Sequence, residues 1–493
     1  MSIKRIGQFC VALGIAGITL SVLVDNLPQA KAGIQAAQIL GIEVSAVILV
    51  LGIGLLRLET DDNFDIRKYT RRLIERVLSL PVLDWVLIGF LIVYVLFFIF
   101  PLFLNDTLRI KYFTTYLPDR YPIGNDLIAV LDLMKGWFFD GKSPYEVQFY
   151  PPFTYVFFAP LLLVGDYPSL FSAFTLASVF FYILLTLVLP LKIVGRENLP
   201  MILLLFLPGL VSYGFQFELE RGQYNVLTFL LCLLAIYIFH TYPRHRILAY
   251  LLFTVSIQLK LYPAIFIVMF VDDWRNWKAV LQRFIGLGVV NFLLLFIMGR
   301  KIFSEFIRSV TSQISSPGWG WNGNHSIKAF VGNLAKDGFG VVSPRALAVI
   351  QENSDLLGTL LLVLFLIIYL STILLAYLKN KPGIDTYLLV TCMIGALIIP
   401  ISNDYTLSML TAPMILFLSN LNIPQSVRHK IVYIPLTLGI SLAYSSILIP
   451  FKFKPYFLNN AFPPLFLILI FVTLLNLMEH NRRTIKASIK ETA

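Results

Sequence analysis

Long apolar runs recur from one end of the chain to the other, each closed by a short cluster of charged, Gly, Pro or Asn residues. In hydrocarbon every backbone N–H and C=O must find its partner within its own segment, so continuous apolar runs of this kind cross as helices. The in–out alternation of barrel strands is absent. The pattern predicts candidate spans at 7–25, 35–57, 83–104, 168–190, 199–214, 223–240, 246–259, 262–272, 278–298, 356–378, 384–400, 405–419, 430–449 and 463–478. The expected fold class is all-α, a polytopic transmembrane helix bundle of about 12–14 spans, with interfacial helices in its outer loops.

Several runs fall short of the ~20 residues that a full crossing needs, notably the pair on either side of Lys260-Leu261-Tyr262-Pro263. These are expected as broken or half-buried helices, because irregular backbone at membrane depth belongs where it lines a cavity or is covered by protein. The segment 152–165 is expected to be re-entrant or interfacial; counted as a crossing, it would invert everything downstream. At the start of 299–355, Ile302, Phe303, Phe306, Ile307, Val310 and Ile314 fall at helical spacing and predict a helix lying on the bilayer.

Composition agrees. At 58% hydrophobic and 14% charged residues, a water-soluble domain, with roughly a quarter of its residues charged, is excluded. The net charge of +11 sits at the ends of apolar runs and not on one basic face, so it reports topology and not nucleic acid. Arg67, Lys68, Arg71 and Arg72 put 57–76 on the cytoplasmic side, and the same side receives Lys192/Arg196, Arg244/His245/Arg246, Arg275/Lys278, Lys379/Lys381, Arg428/Lys430 and Arg482/Arg483. The loops 105–152, 215–222, 259–263, 299–355, 401–404 and 450–462 then share the outer face. Cys10, Cys232 and Cys392 lie in apolar stretches without CxxC spacing and are expected to pack. Lys4, Arg5, the apolar stretch 11–24 and Ala30-Lys31-Ala32-Gly33 imitate a signal peptide; the expectation is a first span kept in the protein.

Candidate chemistry gathers in the outer loops. Asp126 opens a short amphipathic helix with Leu127, Val130, Leu131 and Met134 on its buried face. A carboxylate there serves as an N-cap, or as a general base whose pKa the low dielectric raises. In Glu218-Leu219-Glu220-Arg221-Gly222-Gln223-Tyr224-Asn225 the charges lie close to hydrocarbon, which points to internal Glu–Arg pairing or to function. Arg221 would hold a phosphate through its planar fork. Lys260 either snorkels to the interface or meets a phosphate at the helix break. Of five histidines only His325 falls outside, in Trp319-Gly320-Trp321-Asn322-Gly323-Asn324-His325-Ser326; Trp319 and Trp321 suit a sugar face or an interfacial anchor. Asn403-Asp404-Tyr405 completes the set. The chain has no GxGxxG or Walker-type loop, and nothing demands a metal, although the acidic residues leave a divalent ion open.

Asp126, Gly141-Lys142-Ser143-Pro144-Tyr145, Tyr150-Pro151-Pro152, Gly222-Gln223-Tyr224-Asn225, Lys260-Leu261-Tyr262-Pro263 and Asn324-His325-Ser326, in this order and on one face, resemble the GT-C superfamily, and specifically glycosyltransferase family 87. The resemblance implies inverting transfer of a hexose, often mannose, from a polyprenyl-phosphate donor to a lipid-linked or cell-envelope acceptor at the extracytoplasmic face of the plasma (inner) membrane. Asp126 matches the family's general base. Arg221, Lys260 and His325 are then expected at the donor phosphate, and Tyr145, Tyr150, Glu218, Glu220, Gln223, Asn225, Tyr262, Trp319, Trp321, Asn324, Asn403 and Asp404 around the substrates. The family more often has Gln where His325 stands, and 7–25 and 35–57 look like an addition. Three regions are expected: 1–80, two helices and a basic cytoplasmic linker; 81–480, the catalytic domain; and 481–493, a basic tail. A transporter or lipid flippase, and an envelope polysaccharide polymerase or ligase, are the rival readings. The lack of an internal repeat disfavours transport.

Overall fold

The structure, a computed structural model, describes residues 3–23, 124–146, 149–163, 167–210, 212–315, 323–338, 342–399, 402–421 and 460–492, with positions 44, 45, 48, 49, 52 and 53. The expected spans 83–104 and 430–449, most of 35–57, and the loop 57–76 lie outside the described residues, as do Trp319 and Trp321. What is described is α-helical, with short 3-10 turns; its only bridge pairing among the described residues is Asn324 with Asn403.

The helices in order are α1 (Ile3–Leu23), α2 (Asn125–Asp140), α3 (Pro152–Phe158), α4 (Tyr167–Ile183), α5 (Leu189–Val194), α6 (Leu199–Leu210), α7 (Tyr213–Arg221), α8 (Asn225–Thr241), α9 (Arg246–Leu259), α10 (Trp277–Leu294), α11 (Arg300–Ser315), α12 (Ile327–Asp337), α13 (Pro344–Glu352), α14 (Ser354–Lys379), α15 (Thr386–Ile398), α16 (Thr411–Ser419) and α17 (Phe462–Thr492). Among the described residues four stretches are long and apolar enough to cross alone: Ala173–Val194, Trp277–Leu294, Ser354–Lys379 and Phe462–Asn481. The protein is thus a membrane-embedded helix bundle. Only 11% of the α10 window and 22% of the α14 window are buried inside the protein, which leaves their apolar sides to lipid.

Several of the remaining apolar runs are broken, while 246–259 and 384–400 stay continuous as the short helices α9 and α15. The run 199–214 divides between α6 and α7, with Ser212 capping α7 by accepting from Phe215 N. The run at 223–240 becomes α8, joined to α7 through a 114° bend. The run at 262–272 contracts to a 3-10 turn, Tyr262–Met269, and 405–419 is half 3-10 (Asp404–Leu410) and half α16. The segment expected to be re-entrant folds as α3 and a 3-10 turn (Ala159–Leu163), together far short of the ~30 Å hydrocarbon thickness. The surface helix expected from 302–314 is α11, which buries Ile302 and Phe306 and exposes Ile307. Between α4 and α5 a π turn, Leu184–Val188, absorbs the backbone disruption ahead of Pro190.

Polar side chains gather at two ends of this bundle. At one end Asp272 lies between Arg246 (2.6 Å) and Arg283 (3.1 Å), Asn380 donates to Asp273 (2.9 Å), and Lys379 donates to Asn476. Burial would raise the Asp272 carboxyl, but the Arg283 and Arg246 guanidiniums hold it below the ordinary range. From this end α9 runs to Lys260, and α8 and α17 run back toward it, so the other end collects 124–126, 221–225, 260–262, 402–408 and 460–462. The core between is aromatic: Phe253 and Phe239 lie 4.3 and 5.3 Å from Phe270, and Phe229 lies 5.5 Å from Phe266, ring centre to ring centre.

Candidate active site

Two glycines set the geometry of the second end. Gly124 (φ +80°) precedes α2 and donates its N–H to Glu220 O at 2.5 Å; Gly222 (φ +66°) ends α7. Both are in the left-handed region, where a side chain is strained. A Cβ on Gly222 would meet Leu127 Cβ at 2.7 Å, and one on Gly124 would meet the Tyr167 hydroxyl at 1.9 Å. The start of α2 is therefore pressed against the end of α7.

That contact fixes the carboxylate. Asp126 occupies the first turn of α2, whose buried face is Leu127, Val130, Leu131 and Met134, as expected, but no side chain caps the helix. Instead Asp126 Oδ1 accepts from Arg221 Nη2 at 2.6 Å, the two side chains 17% and 20% exposed, and Oδ2 accepts from Gln223 Nε2. Burial lifts the Asp126 carboxyl above the ordinary carboxylate range, opposed by the Gln223 amide and the charge of Lys260.

Lys260 approaches from the other side. It follows the last turn of α9 in extended conformation (φ −151°, ψ 141°), and the Thr154 hydroxyl from α3 covers that helix end by donating to Gln258 O and Leu259 O, each at 3.0 Å. A cation at a helix C-terminus meets the negative end of the helix dipole. The ammonium donates to Gln223 Oε1 at 2.6 Å and faces the rings of Tyr224 (4.7 Å), Tyr150 (5.4 Å) and Tyr405 (5.4 Å). Rings with negative faces stabilise a desolvated cation, and among the described residues Gln223 Oε1 is the one hydrogen-bond acceptor that the ammonium meets.

The internal Glu–Arg pairing, one of the two alternatives for this segment, is not formed among the described residues; Arg221 pairs with Asp126 instead. Glu218 is fully buried; its carboxylate accepts from Val226 N at 2.8 Å, at the start of α8, and from Ser408 Oγ at 2.5 Å. It thereby holds the α7–α8 bend against the Asp404–Leu410 turn, which frees Arg221 to reach Asp126.

Other expected residues stand one layer back. Tyr145 donates to Tyr150 O (2.8 Å), and burial beside Glu305 raises its phenol. Ser143 donates to Glu305, tying α11 to this loop. Tyr262 donates to Asn225 O at 3.1 Å, and the Asn225 side chain is fully buried. Glu220 contributes its carbonyl to Gly124. Asn403 Nδ2 donates to the Tyr405 hydroxyl at 2.7 Å.

His325 is fully buried and set apart from Asp126. Its Nδ1 accepts from Ala461 N at 3.0 Å, so the ring proton belongs on Nε2, which stands 2.7 Å from Asp404 Oδ1. Both ring nitrogens already face protein, and among the described residues His325 reaches the cluster through Asp404 and its neighbour Tyr405. Asn324 is its brace: Oδ1 accepts from Ser326 N and Ser402 N, and its carbonyl accepts from Asn460.

Three residues of the cluster were not singled out from the sequence: Tyr224, Tyr405 and Ser408. The two tyrosines stand inside quoted motifs, next to Gln223 and Asp404, and that adjacency was the available signal. Among the described residues no three His, Cys, Asp or Glu side chains gather as a metal site. What the arrangement offers is a carboxylate able to take a proton, beside a buried cation able to hold an anion.

The family model described as glycosyltransferase family 87 matches residues 149–400. The matched stretch holds Tyr150, Arg221, Gln223, Lys260 and His325; Asp126 lies upstream of it and Tyr405 downstream. No curated protein and no solved structure matches the chain.

Proposed function

We propose, on the premise that this chain belongs to glycosyltransferase family 87, whose model covers just over half of it, that it is an inverting hexosyltransferase with a polyprenyl-phosphate donor. Mannose is the favoured sugar, and the acceptor is a lipid-linked or cell-envelope glycan. The single observation that carries this reading is the contact chain from Asp126 through Gln223 to Lys260. An acceptor hydroxyl gives its proton to Asp126 while its oxygen attacks the anomeric carbon from the face opposite the phosphate. The sugar–phosphate C–O bond breaks and its electron pair stays on the phosphate oxygen, where charge grows. Lys260, preorganised among tyrosines, stabilises that charge, and Arg221 is placed to contribute. Tyr150 presents its ring to Lys260, and Tyr262 and Asn225 pack one layer behind. His325 takes the role of a brace for Asp404 and Tyr405.

The site is assigned to the extracytoplasmic face of the plasma membrane because the opposite end carries Arg244, Arg246, Arg275, Lys278, Lys379 and Lys381. In this reading 81–480 is the catalytic domain, 1–80 two transmembrane helices with a basic cytoplasmic linker, and 481–493 a basic cytoplasmic tail.

The test is transfer by purified protein of radiolabelled hexose from polyprenyl phosphate to a membrane lipid extract. Asp126→Asn, which keeps an oxygen for Arg221, is expected to lower turnover by about 10²–10⁴-fold with folding retained. Undiminished transfer would remove Asp126 as the base. Product formed only from a diphosphate-linked oligosaccharide would identify a polymerase or ligase instead.

A further inference from the structure

The Gln223 side chain is 1% exposed and its amide makes three contacts at once. Nε2 donates to Asp126 Oδ2 and to the Tyr150 hydroxyl (3.1 Å), and Oε1 accepts from Lys260 Nζ (2.6 Å). The amide has one sensible orientation here. Reversed, it would aim its oxygen at a carboxylate and its NH2 at an ammonium. A neutral dipole thus stands between an anion and a cation that would otherwise attract one another directly, in surroundings of low dielectric.

We propose that Gln223 is a positioning residue for sugar transfer: wedged between Asp126 and Lys260, its amide aims the base and keeps base and cation from collapsing into an ion pair. The inference rests on the reading of Asp126 as base and Lys260 as phosphate ligand. It differs from a substrate-binding role for Gln223, because every polar atom of the amide is already engaged by protein. Among the described residues the charged and titratable groups around Asp126 are Arg221 from α7, Lys260 after α9, Tyr150 before α3 and Tyr405 in the Asp404–Leu410 turn, with Glu218 behind Lys260. Of these only Arg221 shares the carboxylate directly with Gln223. The Gln223 donor favours the ionised carboxylate, so its removal leaves Asp126 easier to protonate. With the wedge gone, Lys260 is also free to swing onto Asp126 and block the base.

The test uses the full chain in lipid nanodiscs. The Asp126 carboxyl is followed by infrared pH titration, its band identified by its loss in Asp126→Asn. In Gln223→Ala the midpoint is expected to move by about one pH unit from wild type, upward if the lost donor dominates and downward if Lys260 pairs with the carboxylate. In Gln223→Glu, of nearly the same shape, the added carboxylate moves it upward. An unchanged midpoint in both variants overturns the proposal; if Gln223→Ala does not fold, Gln223→Glu decides alone.

Kinetically, Gln223→Ala should lower kcat about 100-fold with both KM values within about twofold of wild type, and Asp126→Asn/Gln223→Ala should be no slower than Asp126→Asn. A raised KM with unchanged kcat would make Gln223 a substrate ligand and end the proposal. Wild-type rates in Asp126→Asn would sink the functional reading, while the infrared arm would still report whether Gln223 controls the carboxylate.

Discussion

At the scale of single residues, the proposed chemistry depends on one carboxylate being ionised where water is scarce. Asp126 is raised above the usual 3.8 by burial and pulled back by Gln223 and Lys260. A base works only when deprotonated, so activity is expected to be lost as pH falls through the site's own value, which burial places above 3.8. A kcat/KM profile should place the acid limb above pH 3.8; a limb at or below it would show that burial does not govern this group. Arg221 was legible in the sequence because charge next to a long apolar run is costly and demands a reason, Lys260 because it falls at a helix break, and Asp126 because it opens an amphipathic helix and matches the family resemblance. Tyr224 and Tyr405 were not, because a tyrosine beside an apolar run reads as packing or as an interfacial anchor. His325 stood out as the one histidine on the expected outer face, yet its Nδ1 accepts from Ala461 N and its Nε2 faces Asp404, which no spacing discloses.

Among the elements, the α7–α8 bend does the most to build the site. Arg221, Gln223, Tyr224 and Asn225 lie within one tight corner, and Gly222 makes the corner possible at φ +66°. Gly222→Ala is expected to cost about 1–2 kcal/mol for the left-handed backbone alone. The contact with Leu127 Cβ at 2.7 Å adds to this by driving α2 away from α7. Thermal unfolding in detergent should show a lowered Tm, and transfer should fall more steeply than the remaining folded fraction explains. Full activity in this variant would mean that the α2–α7 contact does not set the base. The amphipathic helices α2 and α11 could be read from their spacing. The 3-10 turns at Tyr262–Met269 and Asp404–Leu410 could not, since both are apolar runs whose backbone path is decided by what packs against them.

For the whole molecule, the separation of two polar ends carries the topology. One end holds Arg246, Asp272, Arg283 and Lys379, the other Asp126, Lys260 and Asp404, with α8, α9 and α17 running between. In sealed right-side-out vesicles, a membrane-impermeant thiol reagent is expected to label Asp140→Cys, at the exposed end of α2, and to leave Arg244→Cys unlabelled until the vesicles are opened. The reverse result would invert the assignment of sides.

The apolar runs by themselves determined that this chain is a helical membrane protein, because hydrocarbon leaves the backbone no other economical state. The placement of charge marked where a candidate site would form, because an ion near hydrocarbon needs a partner or a task. Which ions meet was decided only by the tertiary structure. Asp126 and Arg221 lie far apart in sequence, and their contact rests on two glycine corners and on Glu218 turning away to Val226 and Ser408. Local propensity cannot specify such a contact, because it exists only when separate helices have packed and each polar group has taken the partner that remains.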